Sequence, residues 1–402
     1  MSVHTETAPA VTPTVAPAGS AERSRSGAAE AAPRQARSRE LEGYRGIAAL
    51  AIVAFHVCQY ALAHTTNPVF SLLTRFEVVD VLFAMSAFLL TLSYARSAID
   101  GDDPQSAGTF LFRRAVRILP LYWVGVVTVW AVRNPTLHAD WLDLFEHLTF
   151  TQIFDQQRIF YTLGPTWSMS LEIFFYALLV VLGPASVRLC RRLPSRRQRV
   201  RVLLGGCGAL FAIPVVWNAV AFLGFHVSYD HWPVYFGPQS RFGAFAVGMG
   251  LAVFAASRRS EPLFRGVWPS VLRVAALGIV LGATALNRSG TYGQVAYHDI
   301  AALGWLLLLA STVLGARGQT WSRWLSWRPL TLAGLISYST YMWHEPVMML
   351  LGHLGLTSRS AAALPWSILI VLVVSVLVGA VSYRVIEYPT GKLRALRGRD
   401  GR

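Results

Sequence analysis

Long apolar runs separated by short polar segments dominate the chain. A membrane-spanning helix needs about 20 mostly apolar residues, and windows of that length predict ten spans. They are expected near residues 45–63, 78–95, 118–133, 166–186, 202–224, 234–256, 268–287, 299–315, 330–352 and 364–386. The pattern therefore predicts an all-α integral membrane protein with about ten transmembrane helices.

The remaining segments are too polar to span. Residues 1–39 are rich in Ala, Pro, Thr and Ser, so we expect a disordered cytoplasmic tail before a membrane domain at 40–390. No apolar signal-peptide core precedes the first span, which is expected to remain as an anchor. Residues 137–165 predict an external loop with an amphipathic piece. Residues 391–402 predict a basic cytoplasmic tail.

Charge is unevenly distributed along the chain. Only 14% of residues are charged, against about a quarter in soluble proteins. The net charge of +15 suggests a nucleic-acid partner, yet 30 of the 36 Lys and Arg residues fall in the N-terminal tail and in alternate connections. The positive-inside rule then places both termini in the cytoplasm and explains the charge without nucleic acid. The excess of Arg, Ala and Gly indicates a high-GC bacterium, and hence its plasma membrane.

The first span carries two polar residues, Arg45 and His56. Eleven residues correspond to about three helical turns, so both lie on one face, separated by about 16 Å along the axis. Each has an ordinary explanation, as an interface arginine or as a histidine hydrogen-bonded between helices. Together they suggest a duct that holds an anion at the cytoplasmic surface and moves a proton deeper in the membrane.

A pair of arginines precedes the third predicted span. Arg114 and Arg117 are three residues apart and share a helix face, whereas Arg113 points elsewhere. Two guanidinium groups on one face form a good phosphate site, because each offers a planar fork of donors. Positive-inside charge is the alternative explanation. Pro120 permits a kink near the same surface.

Further polar groups occur in the second, fourth and sixth spans. Asp80 lies near the external end of the second span and Ser86 lies deeper. Ser168 and Glu172 share a face of the fourth span, and Glu172 is expected in the outer leaflet. Arg241 could pair with Asp80 or Glu172, because a buried charge needs a partner.

The ninth span contains the stretch SYSTYMWHEP. Tyr338, Tyr341 and His344 recur every three residues, which is more often a packing stripe than a site. His344 followed by Glu345 favours a functional role. No motif predicts a metal, and three cysteines are too few for a disulfide framework.

Taken in order, these motifs resemble acyltransferase family 3, the integral membrane O-acyltransferases. Arg45 and His56 are similar to its arginine-x10-histidine motif, and the resemblance extends over residues 39–390. Ala87 stands where the family usually has glycine, and Glu345 where an aromatic residue is common. The matching stretches are VDVLFAMSAFLL, RRAVRILPLYW, TWSMSLEIFFY, RFGAFAVG, SYSTYMWHEP and YRVIEYP.

The resemblance implies an enzyme that transfers an acyl group, most often acetyl, from acyl-CoA to a hydroxyl of a sugar-containing acceptor. Arg45, Arg114 and Arg117 are then expected to hold the CoA phosphates, while His56 and Glu172 act in catalysis. His56 could act as a general base or as an acyl carrier. The substrate-binding residues are expected to be Asp80, Ser86, Trp167, Ser168, Arg241, Tyr341 and His344.

Other functions remain open at this stage. Buried Arg, His and Glu residues in ten spans also suit a proton-coupled transporter or flippase, although the two halves show no convincing internal repeat. A membrane scaffold is a third possibility. For the enzyme, the acceptor could be exopolysaccharide, peptidoglycan, a lipid-linked sugar or a macrolide-type natural product. No extramembrane domain is expected after the tenth span.

Overall fold

Helices make up nearly all the regular structure. The computed structural model describes the backbone of residues 19–62, 67–136, 140–258, 262–287, 290–316 and 320–397, in which one isolated bridge joins Phe264 and Gly315. The all-α prediction is therefore confirmed. The helices are α1 (Gly19–Leu62), α2 (Pro68–Leu73), α3 (Val79–Asp100), α4 (Ala107–Arg133), α5 (Trp141–Thr149), α6 (Trp167–Arg191), α7 (Arg196–Asn218), α8 (Trp232–Tyr235), α9 (Pro238–Arg241), α10 (Gly243–Ser257), α11 (Trp268–Leu286), α12 (Thr291–Val313), α13 (Thr320–Leu325), α14 (Arg328–Leu335), α15 (Ser337–His353), α16 (Leu364–Ser382) and α17 (Tyr388–Arg397).

Eight helical segments of the described chain are long and apolar enough to cross a membrane. They correspond to eight of the ten predicted spans, so this is a multi-pass membrane protein. The segments are Arg39–Leu62, Val79–Asp100, Ala107–Arg133, Gly164–Arg191, Arg196–Gly224, Trp268–Leu286, Thr291–Val313 and Leu364–Leu393.

The sixth and ninth predicted spans are interrupted. The sixth consists of the short helices α8 and α9, each with a proline in its first turn, followed by the apolar helix α10. A proline lacks the amide donor that would continue a preceding helix. The ninth is divided into α14 and α15 around Ile336. The break follows Gly334, where an added Cβ would lie 2.0 Å from the Glu42 carbonyl oxygen of α1.

The third span is longer than predicted. Helix α4 begins at Ala107, where the Ser106 side chain accepts a hydrogen bond from the Thr109 amide. Arg114 and Arg117 therefore lie inside the helix rather than before it. The helix continues through Pro120 to Arg133.

Helix α3 runs through the protein core and packs against α6, α10 and α12. Its closest neighbour is α10, because Gly248 has no side chain: an added Cβ would lie 2.1 Å from the Ala84 carbonyl oxygen. The same position is 2.9 Å from the Ala87 Cβ. Ala87, where the resemblance would place glycine, is thus accommodated by the glycine opposite it.

The segment between α4 and α6 does not span, as predicted. It contains the nine-residue amphipathic helix α5, whose Trp141 and Phe145 are exposed while His147 is buried. Arg158 binds both Asp140, at 3.0 Å, and Asp155, at 2.9 Å. Burial raises the pKa of each carboxyl group, but the backbone amides and Arg158 that hydrogen-bond it outweigh this effect and leave both pKa values below the ordinary value.

The two terminal segments extend the helical core. The backbone of α1 is helical from Gly19, inside the segment expected to be a disordered tail; Ala, Arg and Glu, which are common there, favour helix. Residues 1–18 lie outside the described residues, so disorder there stays a prediction. At the other end α17 reaches Arg397, and residues 398–402 also lie outside the described part.

Candidate active site

Two cavities lie along the face of α1 that carries Arg45 and His56. Arg45 lines a cavity of about 240 Å³, here called the inner cavity because the predicted topology places it toward the cytoplasm. His56 lines a second cavity of about 500 Å³, here called the outer cavity. Val79 and Tyr341 line both. The helix face predicted from the spacing therefore lines both cavities.

The inner cavity gathers three arginines. Arg45 of α1 meets Arg114 and Arg117 of α4 there, whereas Arg113 is exposed, as the spacing predicted. The Arg114 Nε is buried and has no hydrogen-bond partner among the described residues. None of the three arginines is in an ion pair within the described part of the chain. The Arg114 Nε is thus available to hydrogen-bond an anion.

Glu172 lies in the inner cavity with the arginines. Ser86 Oγ donates to Glu172 Oε2 at 3.2 Å, and the Tyr176 hydroxyl donates to the same oxygen. Ser86 and Glu172, which were expected on the acceptor side, both line the cavity of the arginines. The reason is the geometry of α6: Glu172 follows Trp167 by about one and a half turns and reaches the level of the arginines.

His56, which lines the outer cavity, is paired with the buried His344. His344 Nε2 lies 2.9 Å from His56 Nδ1, and the two rings stack with their centroids 4.8 Å apart. His344 Nδ1 contacts the Tyr341 carbonyl oxygen, which can only accept. Nδ1 of His344 must therefore carry the proton, and a neutral His344 presents Nε2 as an acceptor. His56 then donates from Nδ1, which leaves its Nε2 lone pair free.

Tyr341 forms part of the partition between the cavities. Its hydroxyl donates to the Pro165 carbonyl oxygen at 2.8 Å and lies 2.8 Å from Ser168 Oγ. Ser168 lines the inner cavity and Trp167 the outer one. These three predicted substrate-binding residues are therefore brought together at the junction of the two chambers.

Arg241 is buried behind the outer cavity rather than in its lining. It donates to Glu77 Oε2 at 2.8 Å and contacts His298, and His298 Nδ1 binds Asp80 Oδ2 at 2.8 Å. The predicted pairing of Arg241 with Asp80 or Glu172 was wrong, since its ion pair is with Glu77. Neither Asp80 nor Arg241 lines either cavity. They hold α3, α9 and α12 together.

Aromatic side chains line much of the outer cavity. The Arg241 guanidinium lies 5.0 Å from the ring centroids of both Trp167 and Phe236 and 5.1 Å from that of Tyr235, so it supports these rings from the protein side. Burial raises the pKa of Tyr229 to about 12, and its hydroxyl donates to the Thr291 carbonyl oxygen at 2.8 Å.

Several site residues escaped the sequence analysis. Glu77 and His298 complete the network of Arg241, and Tyr176 binds Glu172. His298 could have been found, because it adjoins Asp299 within an apolar span where two ionisable groups need an explanation. No group of His, Cys, Asp and Glu side chains that could hold a metal occurs in the described ranges.

Comparisons with known proteins place the chain among acyltransferases. A family model described as an acyltransferase domain matches residues 38–384. The acyltransferase MdmB of Streptomyces mycarofaciens is 28% identical, with 91% of this chain and 94% of the relative covered. A protein of Komagataeibacter xylinus named as a candidate membrane-bound transacylase is 27% identical over 87% of this chain and 82% of its own length.

A third relative is longer than this chain. The peptidoglycan O-acetyltransferase OatA of Listeria monocytogenes is 22% identical over 88% of this chain, which spans 55% of that protein. The chain thus covers about half the length of this relative. No solved structure matches the chain significantly.

Proposed function

Because the chain belongs to this family of membrane O-acyltransferases, we propose that it transfers an acyl group, most often acetyl, from acyl-CoA to a hydroxyl of a sugar-containing acceptor at a bacterial plasma membrane. One observation carries the proposal: a three-arginine cavity and a histidine-edged cavity share the wall formed by Val79 and Tyr341. The acceptor is a cell-surface glycan or a glycosylated natural product such as a macrolide.

The inner cavity suits the phosphate end of acyl-CoA. Three guanidinium groups and one carboxylate, Glu172, leave a surplus of positive charge, and the buried Arg114 Nε needs an acceptor. His56 lies about 16 Å along α1 from Arg45. The pantetheine arm would extend past Tyr341 and bring its thioester to the histidine pair.

Arg114→Ala tests this donor site. Losing a charge-assisted hydrogen bond costs about 1.5–3 kcal/mol, so the KM for acetyl-CoA should rise roughly tenfold or more. Arg113→Ala is the matched control, because Arg113 is exposed on the same helical turn. An Arg114 variant with the KM of the control would remove the arginines from the donor site.

The histidine pair supplies the base. His56 Nε2 takes the hydroxyl proton as the acceptor oxygen attacks the thioester carbonyl carbon, forming the new C–O bond. The C–S bond breaks, and the departing CoA thiolate takes the proton from His56. His344 remains neutral throughout and keeps the His56 ring oriented through its hydrogen bond to Nδ1.

His56→Ala tests the reaction in reconstituted membranes. We expect thioester consumption and acyl transfer to fall by about 100-fold or more, the contribution of a general base. His353→Ala is a matched control, because that histidine is exposed at the end of α15. Activity equal to the control in a well-folded His56 variant would refute the assignment. Rapid-quench mass spectrometry without acceptor separates direct transfer from an acyl-histidine relay, which would leave an acylated His56.

A further inference from the structure

Glu345 presents a carboxylate at the outer cavity beside the histidine pair. Its Oε2 accepts a hydrogen bond from the Gly164 amide at 2.8 Å. An added Cβ on Gly164 would lie 2.8 Å from Glu345 Oε1, so the carboxylate rests directly on the backbone before α6. No Lys, Arg or His lies within ion-pair distance of Glu345 in the described part of the chain. The carboxylate is therefore held in place without a cation.

No cation in the lining of the outer cavity forms an ion pair with Glu345. Besides His56, the ionisable lining groups are Arg75, Glu77 and Asp230. Glu77 is paired with Arg241, and Arg75 donates to the Asn287 carbonyl oxygen at 2.8 Å. Asp230 adds a second carboxylate, which is exposed, whereas Glu345 is partly buried. The outer cavity is thus the acidic chamber, whereas the inner cavity is the basic one.

The rest of the lining is strongly aromatic. Eight aromatic side chains line the outer cavity, Phe55 and Tyr341 among them. Faces of aromatic rings attract cations, and a carboxylate close to such rings strengthens the preference. Arg241 already shows this chemistry, because its guanidinium lies 5.0 Å from the Trp167 ring on the protein side.

We propose that the acceptor carries a protonated amine, as in an amino sugar, held by Glu345 and the aromatic wall while its hydroxyl reaches His56. This inference rests on the proposed function, since it names the acceptor of the same site. A protonated amine has no lone pair, so the acyl group goes to the hydroxyl oxygen and not to nitrogen.

The test uses two acceptors that differ only in charge: the methyl glycoside of a dimethylamino hexose and the same glycoside with hydroxyl in place of the amine. Binding is measured first, without acyl-CoA, through the fluorescence of Trp167 and Trp232 in the cavity wall. Transfer is measured next, as kcat/KM with acetyl-CoA. Glu345→Gln is close in shape and keeps an oxygen for the Gly164 amide. Asp102→Asn is the charge control, because it removes an exposed carboxylate that is far from Glu345 in the sequence and does not line the outer cavity.

We expect the wild type to prefer the amine by about tenfold in both measurements, as a desolvated cation–π contact with a carboxylate implies. The preference should persist in Asp102→Asn and fall to near unity in Glu345→Gln. Equal binding of both glycosides, binding of neither, or a preference that survives in Glu345→Gln would overturn the inference. Failure of acyl transfer alone, with charge-selective binding intact, would count against the proposed reaction and leave the amine site standing.

Discussion

Replacing His344 tests whether its hydrogen bond fixes the proton position on His56. In the structure, the Tyr341 carbonyl fixes the His344 proton on Nδ1, and His344 Nε2 in turn accepts from His56 Nδ1 at 2.9 Å. His344→Ala removes the acceptor. The His56 ring can then rotate or move its proton to Nε2, the nitrogen that accepts the substrate proton in the proposed mechanism.

The expected loss follows from the burial of the pair. A hydrogen bond between neutral groups contributes about 0.5–1.5 kcal/mol, and a buried donor left without a partner costs about 1–3 kcal/mol. Because His344 is completely buried, water does not replace it readily. If the arrangement with the His56 proton on Nδ1 is destabilised by about 1.4–2.7 kcal/mol, kcat falls about 10- to 100-fold. The KM for acetyl-CoA should stay the same, because His344 does not line the inner cavity.

The assay is steady-state release of CoA with acetyl-CoA and acceptor, using protein in lipid nanodiscs. His344→Gln is the matched variant, because the glutamine side chain is similar in length and its amide oxygen can accept a hydrogen bond from His56 Nδ1. We expect it to recover kcat to within about tenfold of the wild type. His353→Ala controls for the loss of a histidine from α15.

Three results would refute this reasoning. A folded His344→Ala protein with wild-type kcat would show that His56 needs no partner to present Nε2. A His344→Gln protein as slow as His344→Ala would show that an imidazole is required at this position, and hence that His344 itself carries a proton. An increase in KM instead of a decrease in kcat would place His344 in substrate binding.

Two further predictions concern folding. Gly248→Ala places a Cβ 2.1 Å from the Ala84 carbonyl oxygen, which should destabilise the protein by about 1–3 kcal/mol. The unfolding temperature in detergent and the yield should both fall. Gly250→Ala is the control and should change neither, because its nearest contact would be at 3.8 Å. The pKa values of Asp140 and Asp155 are lowered in the folded protein, so their ion pairs with Arg158 stabilise the segment between α4 and α6 above about pH 4. This stabilisation is lost as the pH falls through the pKa values of the folded state. Limited proteolysis of this segment should therefore increase at about pH 3; unchanged cleavage would contradict this.

The spans followed from the sequence wherever one apolar run makes one helix. Details of helix packing were not needed to find α3 or α12, because a run of about 20 apolar residues has few alternatives in a bilayer. The divided spans could not be predicted in this way. The break at Ile336 depends on how closely α14 approaches α1 at Gly334, which is a contact between segments nearly 300 residues apart.

The candidate site was predictable where a helix face decided it. The spacing of Arg45 from His56, and of Arg114 from Arg117, placed each pair on a common face, and the cavities lie there. Partnerships between helices were not predictable. Arg241 binds Glu77 and contacts His298, and neither partner has a sequence relation to it that a helical period could reveal.

The position of Glu172 limits the acid–base chemistry available to the enzyme. Glu172 shares a cavity with three arginines, accepts hydrogen bonds from Ser86 and Tyr176, and does not line the cavity of His56. In the proposed mechanism the proton taken from the acceptor hydroxyl is then handled by His56 alone, with His344 as its neutral support. A triad with an acidic third member would stabilise a charged imidazolium; here the third group is the Tyr341 carbonyl, whose dipole does so more weakly. The proton should therefore pass to the leaving thiolate during the same step, which requires the thioester sulfur and the acceptor oxygen to lie on the same side of His56 Nε2.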